Sequence, residues 1–554
     1  MMRWIKRIGI ALGVIALALV ATWFAIGGRE GFILLYASWQ KVTPGPHQQV
    51  AWQKAPQQTP IPGEKRKPNV IVILADDLGF NDVSFYGGGT AGVVKTPNID
   101  AIGRDGVNFP AGYAGNATCA PSRAALMTGR YATRFGYEFT PTPLGFQRLV
   151  GGHQGNAPWP VIYHPEREAD VPDFRELGIP AGEETIASMM RKAGYHTIHL
   201  GKWHLGETEN MRPEARGFDE SLGFYSGAAM FMEEDDPNVV NAKQDFDPID
   251  KFLWAGLTVG VRYNSGPVFR PDSHMTDYLS DQAVEAIRAN KDRPFFMYLA
   301  YNAPHTPLQA LKSDYDALSG IQDHTMRVYA AMIAQLDRGV GRVLAELKAQ
   351  GLDENTLVIF TSDNGGAHYV GLDGLNAPYS GWKATFYEGG IRVPFFMRWP
   401  GVLPAGTTYA SPISHFDIFA TAAGAAGAPL PTDRKIDGVD VVPFITGATQ
   451  GEPHQILFWR SGPYVVVRQG DWKLQVEDTS KLVALYNLAT DPAEKTNVAS
   501  AEPDRVAEMQ ALIAGWQAEQ VKPLWPALIE GVIPIDHPLN RAWTKEDRYI
   551  YWSN

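Results

Sequence analysis

The amino-acid sequence predicts an α/β fold: a mostly parallel central sheet flanked by helices, followed by a smaller C-terminal antiparallel sheet covered by a helix. Short, continuous apolar runs recur at residues 69–74, 294–300 and 356–361, the pattern of strands buried on both faces. Between them lie helical spacings. One is Ile186, Met189, Met190 and Ala193; a longer one is Tyr329, Met332, Ile333, Leu336, Val340, Val343 and Leu347. Strands alternating with amphipathic helices build a mostly parallel sheet. From about residue 452 the pattern changes. Four closely spaced runs, 456–459, 464–467, 472–474 and 482–486, precede one amphipathic helix carrying Val506, Met509, Leu512, Ile513 and Trp516.

The chain has 554 residues, 45% hydrophobic and 20% charged, an ordinary composition for a protein with a sizeable core. Its net charge of -11, without a long run of one sign, argues against a nucleic-acid partner, which needs a basic face. There is one cysteine, Cys119, so no intramolecular disulfide cross-links the fold.

Residues 8–28 carry no charge and follow Arg3, Lys6 and Arg7. At helical rise they span roughly 30 Å, about the thickness of a bilayer core. The flanking cations favour the cytoplasmic side, which leaves the rest of the chain exported. A cleaved signal peptide, processed near Ala16-Leu17-Ala18, is the alternative; the length of the run favours an uncleaved anchor. The expected organisation is therefore a membrane anchor or signal segment over 1–30 and a Pro/Gln-rich linker over 31–67. A main domain over 68–450, an α+β subdomain over 451–520 and an extension over 521–554 follow.

Open α/β sheets place their sites beyond the carboxyl ends of strands. Asp76 and Asp77 follow the first predicted strand; Asp363, Asn364, Gly365 and Gly366 follow the strand ending near Ser362. Asp, Asn and Gly also favour turns and caps, so either cluster alone is equally well a turn. Together they form an all-oxygen set suited to a hard divalent cation. Cys119 precedes Ala120, Pro121, Ser122 and Arg123. Taken alone, a single cysteine is a small buried hydrophobe. Here Pro121 and Ser122 can begin a helix, placing residue 119 just before an N-terminus that welcomes an anion. Three further segments bring cations and proton donors after apolar runs. The first holds Lys202 and His204, on one side of a strand by its period of two; the others hold His305 and Lys383.

The sequence resembles the type I, formylglycine-dependent sulfatases of the alkaline phosphatase-like superfamily. The resemblance rests on Cys119-x-Pro121-Ser122-Arg123 with Thr128-Gly129-Arg130 and on Gly201-Lys202-Trp203-His204. Asp363-Asn364-Gly-Gly and Lys383 ahead of Glu388-Gly-Gly-x-Arg392-Val393-Pro394 complete it. It covers roughly residues 68 to 520. It implies that a separate maturation enzyme oxidises Cys119 to Cα-formylglycine. It implies one Ca²⁺ held by Asp76, Asp77, residue 119, Asp363 and Asn364. Arg123 and Lys202 would orient the hydrated aldehyde, and Lys383 would bind sulfate oxygens. His305 would protonate the leaving alcohol with Lys383 assisting, and His204 would act as base for sulfate release. The substrate class this implies is a sulfated carbohydrate or an aryl sulfate. One departure stands at 415–421, where His415-Phe416-Asp417 replaces the usual Asp-Pro-Thr pattern; it is expected to touch packing rather than chemistry.

Three rivals share parts of this pattern. A phosphonate or phosphodiester hydrolase of the same superfamily can use the same nucleophile. A non-catalytic binder of sulfated glycans would have lost a catalytic element, and none is lost. A phosphoethanolamine transferase with Thr118 as nucleophile would bring several membrane spans and disulfides. The segment 207–272, with Tyr225, Trp254 and Tyr263, is expected to form a specificity loop whose aromatic rings lean towards packing; the tail with Trp525, Trp543, Tyr549 and Trp552 is open between the two.

Overall fold

The computed structural model describes residues 27–56, 66–88, 94–153 and 157–554, with isolated positions 4, 5, 7, 8, 10, 12, 14, 22–25, 92 and 155. A nine-stranded sheet organises it. Five central strands, Thr356–Ser362, Asn69–Ala75, Phe295–Ala300, His196–Lys202 and Glu220–Phe224, lie side by side and run parallel. Phe395–Arg398 joins one side antiparallel and Arg262–Tyr263 the other. The α/β expectation is borne out. Glu220–Phe224, inside the stretch expected to be a loop, is an exception the sequence hid. Its Ser-Leu-Gly centre offers only Leu222 and Phe224 as apolar markers.

Both faces are covered, which is why the strands read as continuous apolar runs. Along Asn69–Ala75, Ile71 and Ile73 pack with the helices Met275–Asn290 and His324–Ala349. Val70, Val72 and Leu74 face the helices Cys119–Thr128, Ile186–Lys192 and Asp417–Ala426. The alternation follows from the two-residue period of a strand.

The C-terminal unit is as expected. Ile456–Ser461, Tyr464–Gln469, Trp472–Glu477 and Leu482–Asn487 form a four-stranded antiparallel meander, against which Pro503–Gln517 lays Met509, Ile513 and Trp516. The tail adds Ile529–Pro534 and Tyr549–Ser553, paired with each other and with Ile162–Tyr163. Trp525 and Trp552 are buried there; Trp525 belongs to packing, while Trp552 also reaches the cavity of the site.

The linker expected over 31–67 departs from a free spacer where it is described. Gly28–Trp39 is a helix that buries Ala37 and packs on the helices Leu144–Gly152 and Pro248–Gly256. Gly45 bridges to Phe269, and Trp52, buried, donates its Nε1–H to Gln282 Oε1 at 3.0 Å. A lone tryptophan carries no periodicity, so the docking left no pattern to read. Among the described residues no helix is long and apolar enough to cross a membrane. The span expected over 8–28 lies largely outside the described residues.

The C-terminal sheet is locked to the main domain by buried charge. Lys473 Nζ lies 2.8 Å from Glu388 Oε1 and 3.0 Å from Glu494 Oε1, all fully buried. Burial would raise Glu388, but Lys473, Arg392 and Arg468 bring it down to about 2. Glu494 is pushed up to about 7 by burial, with Glu388 adding to it against Lys473. Lys473→Met should therefore destabilise the protein by about 3–5 kcal/mol, the cost of removing one partner of a buried pair, with Arg392 left as the cation on Glu388; denaturant unfolding measures it. Because Glu388 is depressed in the folded state, its stabilisation is present above the ordinary glutamate range and is lost as pH falls towards about 2. The same titration on the variant should show a smaller acid-side loss, since Arg392 and Arg468 still act on Glu388.

Candidate active site

The site lies where the parallel strands end. Asp76 and Asp77 leave the central strand, Asp363 and Asn364 leave its neighbour on one side, and Lys202 closes the strand two places away on the other. Asp77 N donates to Asp363 Oδ1 at 3.2 Å, tying the two acidic turns together. The Gly365 turn packs so closely that a Cβ would sit 1.9 Å from Gly389 O, bringing the Lys383 segment against Asp363 and Asn364.

The helix Cys119–Thr128 begins at Cys119 itself, two residues earlier than Pro121 suggests, with Thr118 as N-cap. Its first turn aims Cys119 Sγ at two carboxylates, 3.6 Å from Asp76 Oδ1 and 3.9 Å from Asp77 Oδ1. Thr118 Oγ1 instead turns to Asn116 Oδ1 at 3.5 Å, so the neighbouring hydroxyl does not share this position.

Three buried cations face three buried carboxylates. Lys202 Nζ grips Asp76 at 2.8 and 3.0 Å. Arg123 donates Nε–H to Asp363 Oδ2 at 2.9 Å and Nη1–H to Lys202 O at 3.1 Å. Lys383 Nζ lies 2.8 Å from Asp77 Oδ1, donates to Tyr369 OH at 2.9 Å and approaches His305 Nε2 at 3.2 Å. Burial works against charge on Lys383, yet Asp77 foremost holds it well above the ordinary lysine range. Asp77 would be raised by burial, but Lys383, His305 and Lys202 carry it below the carboxylate range. Asp76 behaves oppositely: burial, helped by Asp363 and Asp77, outweighs Lys202 and Arg123 and pushes it up to about 7.

The histidines are neutral. Burial, then Lys383, pushes His305 down to about 3, and burial with Lys202 and Arg123 holds His204 well below its usual value. His305 Nδ1 lies 2.5 Å from Thr306 O, a distance that assigns its proton to Nδ1 and leaves Nε2 to accept from Lys383. The expected strand through His204 ends at Lys202. His204 follows in a left-handed turn, φ 60°, so the two do not share a strand face. Asp77 and Ala384 also have positive φ, 63° and 66°; backbone strain of this kind gathers at functional sites.

All the expected residues come together, with different partners for two of them. Arg123 and Lys202 hold carboxylates and contribute no side chain to the cavity wall, whereas Cys119, His204, His305 and Lys383 line it. Two residues escaped the sequence. Tyr369, which donates to Asp77 Oδ2 at 2.9 Å, sits in the short 3-10 turn His368–Val370 with no motif around it. His415 bridges Ser122 Oγ at 3.1 Å and Thr361 Oγ1 at 3.2 Å, bracing the Cys119 helix against the strand that delivers Asp363. The departure at 415 thus reaches the site from behind.

The donors fit a hard divalent cation. Asn364 Oδ1 is buried without a hydrogen-bond partner, while its Nδ2 donates to Asp77 Oδ1 at 2.7 Å and Gly365 O at 2.9 Å. An orphaned carbonyl oxygen beside carboxylates is a cation ligand in waiting. Ligand atoms of Asp76, Asp77, Cys119 and His305 also lie within 4.8 Å of one another. Of the two sets the oxygen one is the better match, because His305 Nε2 already accepts from Lys383.

Carboxylates, cations and one helix-opening side chain gathered at parallel strand ends define a hydrolase of the alkaline phosphatase-like class. Within it, a family model described as Sulfatase matches residues 68–428. The chain belongs to the sulfatase family and is a sulfuric ester hydrolase. It is 30% identical over 524 residues to the uncharacterised sulfatase YdeN of Escherichia coli (strain K12), covering 81% of this chain and 85% of that one. It is 31% identical over 418 residues to N-acetylgalactosamine-6-sulfatase of Canis lupus familiaris, covering 74% and 72%. Among solved structures, Ps i-CgsB superposes with a TM-score of 0.67 at 31% identity, over 83% of this chain and 95% of that one.

Removing a cation from this cluster strands a carboxylate. Arg123→Met should cost about 3–5 kcal/mol of stability by leaving Asp363 buried and unpaired, read as a lowered denaturation midpoint.

Proposed function

We propose that sulfate esters are hydrolysed here by formylglycine made from Cys119 by a maturation enzyme, with one Ca²⁺ held by Asp76, Asp77, Asp363, Asn364 and residue 119. The carrying observation is the position of the only cysteine. It opens its helix within 4 Å of two aspartates, yet burial pushes its thiol up to about 12. An unmodified thiol so held is a poor nucleophile, because the thiolate is the reactive form. The hydrated aldehyde supplies a hydroxyl nucleophile, and the ion supplies positive charge where the sulfuryl oxygens gather it.

The chain's own residues then divide the work. Lys383 keeps its proton beside Asp77, so it can bind a sulfuryl oxygen and hand a proton towards the leaving alcohol. His305, protonated on Nδ1, accepts from Lys383 through Nε2 and so positions that ammonium; the acid role expected of it shifts towards Lys383. His204, kept neutral in the cavity wall, is the base for release. Arg123 and Lys202 fix the carboxylates. The sulfated carbohydrate and the aryl sulfate expected from the sequence present the same group to this centre. Supporting export, the uncharged run 8–28 follows three cations, which fits a catalytic part outside the cytoplasmic membrane.

The first test is the mass of the peptide containing residue 119, from protein made in its native host. An aldehyde in place of the thiol is expected; an intact thiol, in a host that matures other sulfatases, would sink the reading. Cys119→Ala should lower kcat/KM by about 10³-fold or more, the scale of losing a nucleophile. Calcium at about a hundred times its Kd should raise stability by about 2.7 kcal/mol, seen as a higher thermal midpoint. Asn364→Ala should shrink that shift, whatever its effect on turnover.

A further inference from the structure

A single cavity of about 1260 Å³ runs from the catalytic centre to the docked N-terminal helix. At one end it is walled by Cys119, His204, His305 and Lys383; at the other by Ala37, Phe146, Val150, Ile249, Phe252 and Leu253. The second set comes from the helices Gly28–Trp39, Leu144–Gly152 and Pro248–Gly256, which pack on one another. Phe146 and Phe252 meet edge-to-face, ring centroids 5.4 Å apart.

Lys251 is the charged side chain these helices put on the cavity wall, and it is engaged; Gln147, whose buried Oε1 has no partner, stays off that wall. Lys251 pairs with Glu30 at 3.1 Å, and Asp247 accepts from Ile249 N and Asp250 N to cap its own helix. Arg148 pairs with Glu168 at 2.6 Å. A sugar entering this end would bury hydroxyls against aliphatic carbon and phenyl rings, leaving them without partners. An apolar body would not.

The outer side of Gly28–Trp39 carries a second apolar stripe. Phe32, Leu35, Tyr36 and Trp39, at helical spacing, are 53%, 58%, 49% and 80% exposed. A soluble surface rarely shows such a stripe without use, and it directly continues the uncharged run 8–28. Aromatic and aliphatic residues just beyond such a run suit the interfacial layer of a bilayer.

We propose that the cavity takes the sulfate ester of a bulky apolar alcohol or phenol, presented by the lipid surface on which Gly28–Trp39 lies. This rests on the sulfatase reading and specifies its substrate class.

The test uses the full chain, carrying the aldehyde at residue 119, reconstituted in phosphatidylcholine vesicles. Three probes are compared: a fused-ring sterol sulfate, 4-nitrophenyl sulfate and N-acetylgalactosamine 6-sulfate. The expected kcat/KM for the sterol sulfate exceeds both others by about tenfold or more, the scale set by filling an apolar pocket. At constant total sterol sulfate, adding phospholipid should lower its rate in proportion to its surface dilution. Phe252→Asp should reduce sterol sulfate turnover about tenfold more than 4-nitrophenyl sulfate turnover. Equal or better turnover of the sugar sulfate or the small aryl sulfate overturns the proposed class while leaving the sulfatase reading intact. A rate indifferent to phospholipid overturns presentation from the lipid surface. Hydrolysis of none of the three overturns the sulfatase reading, and this inference with it.

Discussion

Everything at the active end depends on three carboxylates and three cations neutralising one another out of contact with water. Asp76, Asp77 and Asp363 are buried at strand ends, and Lys202, Lys383 and Arg123 meet them one to one. A cluster of this kind contributes little net stability, because desolvation offsets most of the attraction. What it secures is geometry: no member can leave without stranding a charge. The balance is also incomplete in a telling way. Asp76 is pushed up to about 7 although two cations lie beside it, and Asn364 Oδ1 has no partner. Both signs call for further positive charge. A divalent cation held there would leave the cluster with a surplus of two positive charges, matched to an anionic ester whose charge shifts onto the leaving oxygen as its bond to sulfur breaks.

The sheet makes that cluster obtainable. Parallel strands deliver all their carboxyl ends to one edge, so residues 76, 202 and 363, distant in sequence, arrive together. The Cys119 helix is then pointed at them from one face, braced by His415 between Ser122 and Thr361. The Lys383 segment comes from the other direction, behind the Gly365 turn and in front of the Glu388–Lys473 lock. The C-terminal sheet therefore does more than cover a surface. Its Lys473 fixes the residues that follow Lys383 in the chain.

Legibility from sequence followed the physics of each element. Strands buried on both faces announce themselves as apolar runs, so 69–74 and 356–361 and the acidic turns after them could be found unaided. The helical spacing of Tyr329 to Leu347 and the meander after 452 were equally plain. Elements without an apolar period were not. The segment around Trp52 docks through that ring and scattered hydrogen bonds, among them Gln53 N to Glu220 Oε1 at 2.9 Å and Ala55 N to Ala289 O at 2.8 Å, and Glu220–Phe224 enters the central sheet with two apolar residues. Roles were harder than places. Arg123, Lys202 and His305 lie beside the acidic turns, where their hydrogen bonds are to Asp363, Asp76 and Lys383. That Arg123 and Lys202 hold carboxylates and that His305 is neutral depends on burial and partners, which no spacing encodes. Tyr369, in a three-residue 3-10 turn too short to show a period, left no signal at all.

The site divides into two readers with different origins. The sulfate end is built from strand termini of a rigid sheet, where each donor is fixed by a buried opposite charge. The far end is built from helices outside the sheet, Leu144–Gly152 and Pro248–Gly256, closed by an N-terminal helix that precedes the first strand. The charge cluster is held by its own buried pairs, and Pro248–Gly256 reaches the centre through Asp250, which accepts from the Thr306 hydroxyl beside His305; the apolar residues of the wall can change while that contact stays. That separation explains how one catalytic arrangement serves different sulfate esters, and it makes the apolar wall around Phe146 and Phe252 informative. On the proposal above, that wall receives the rest of the substrate.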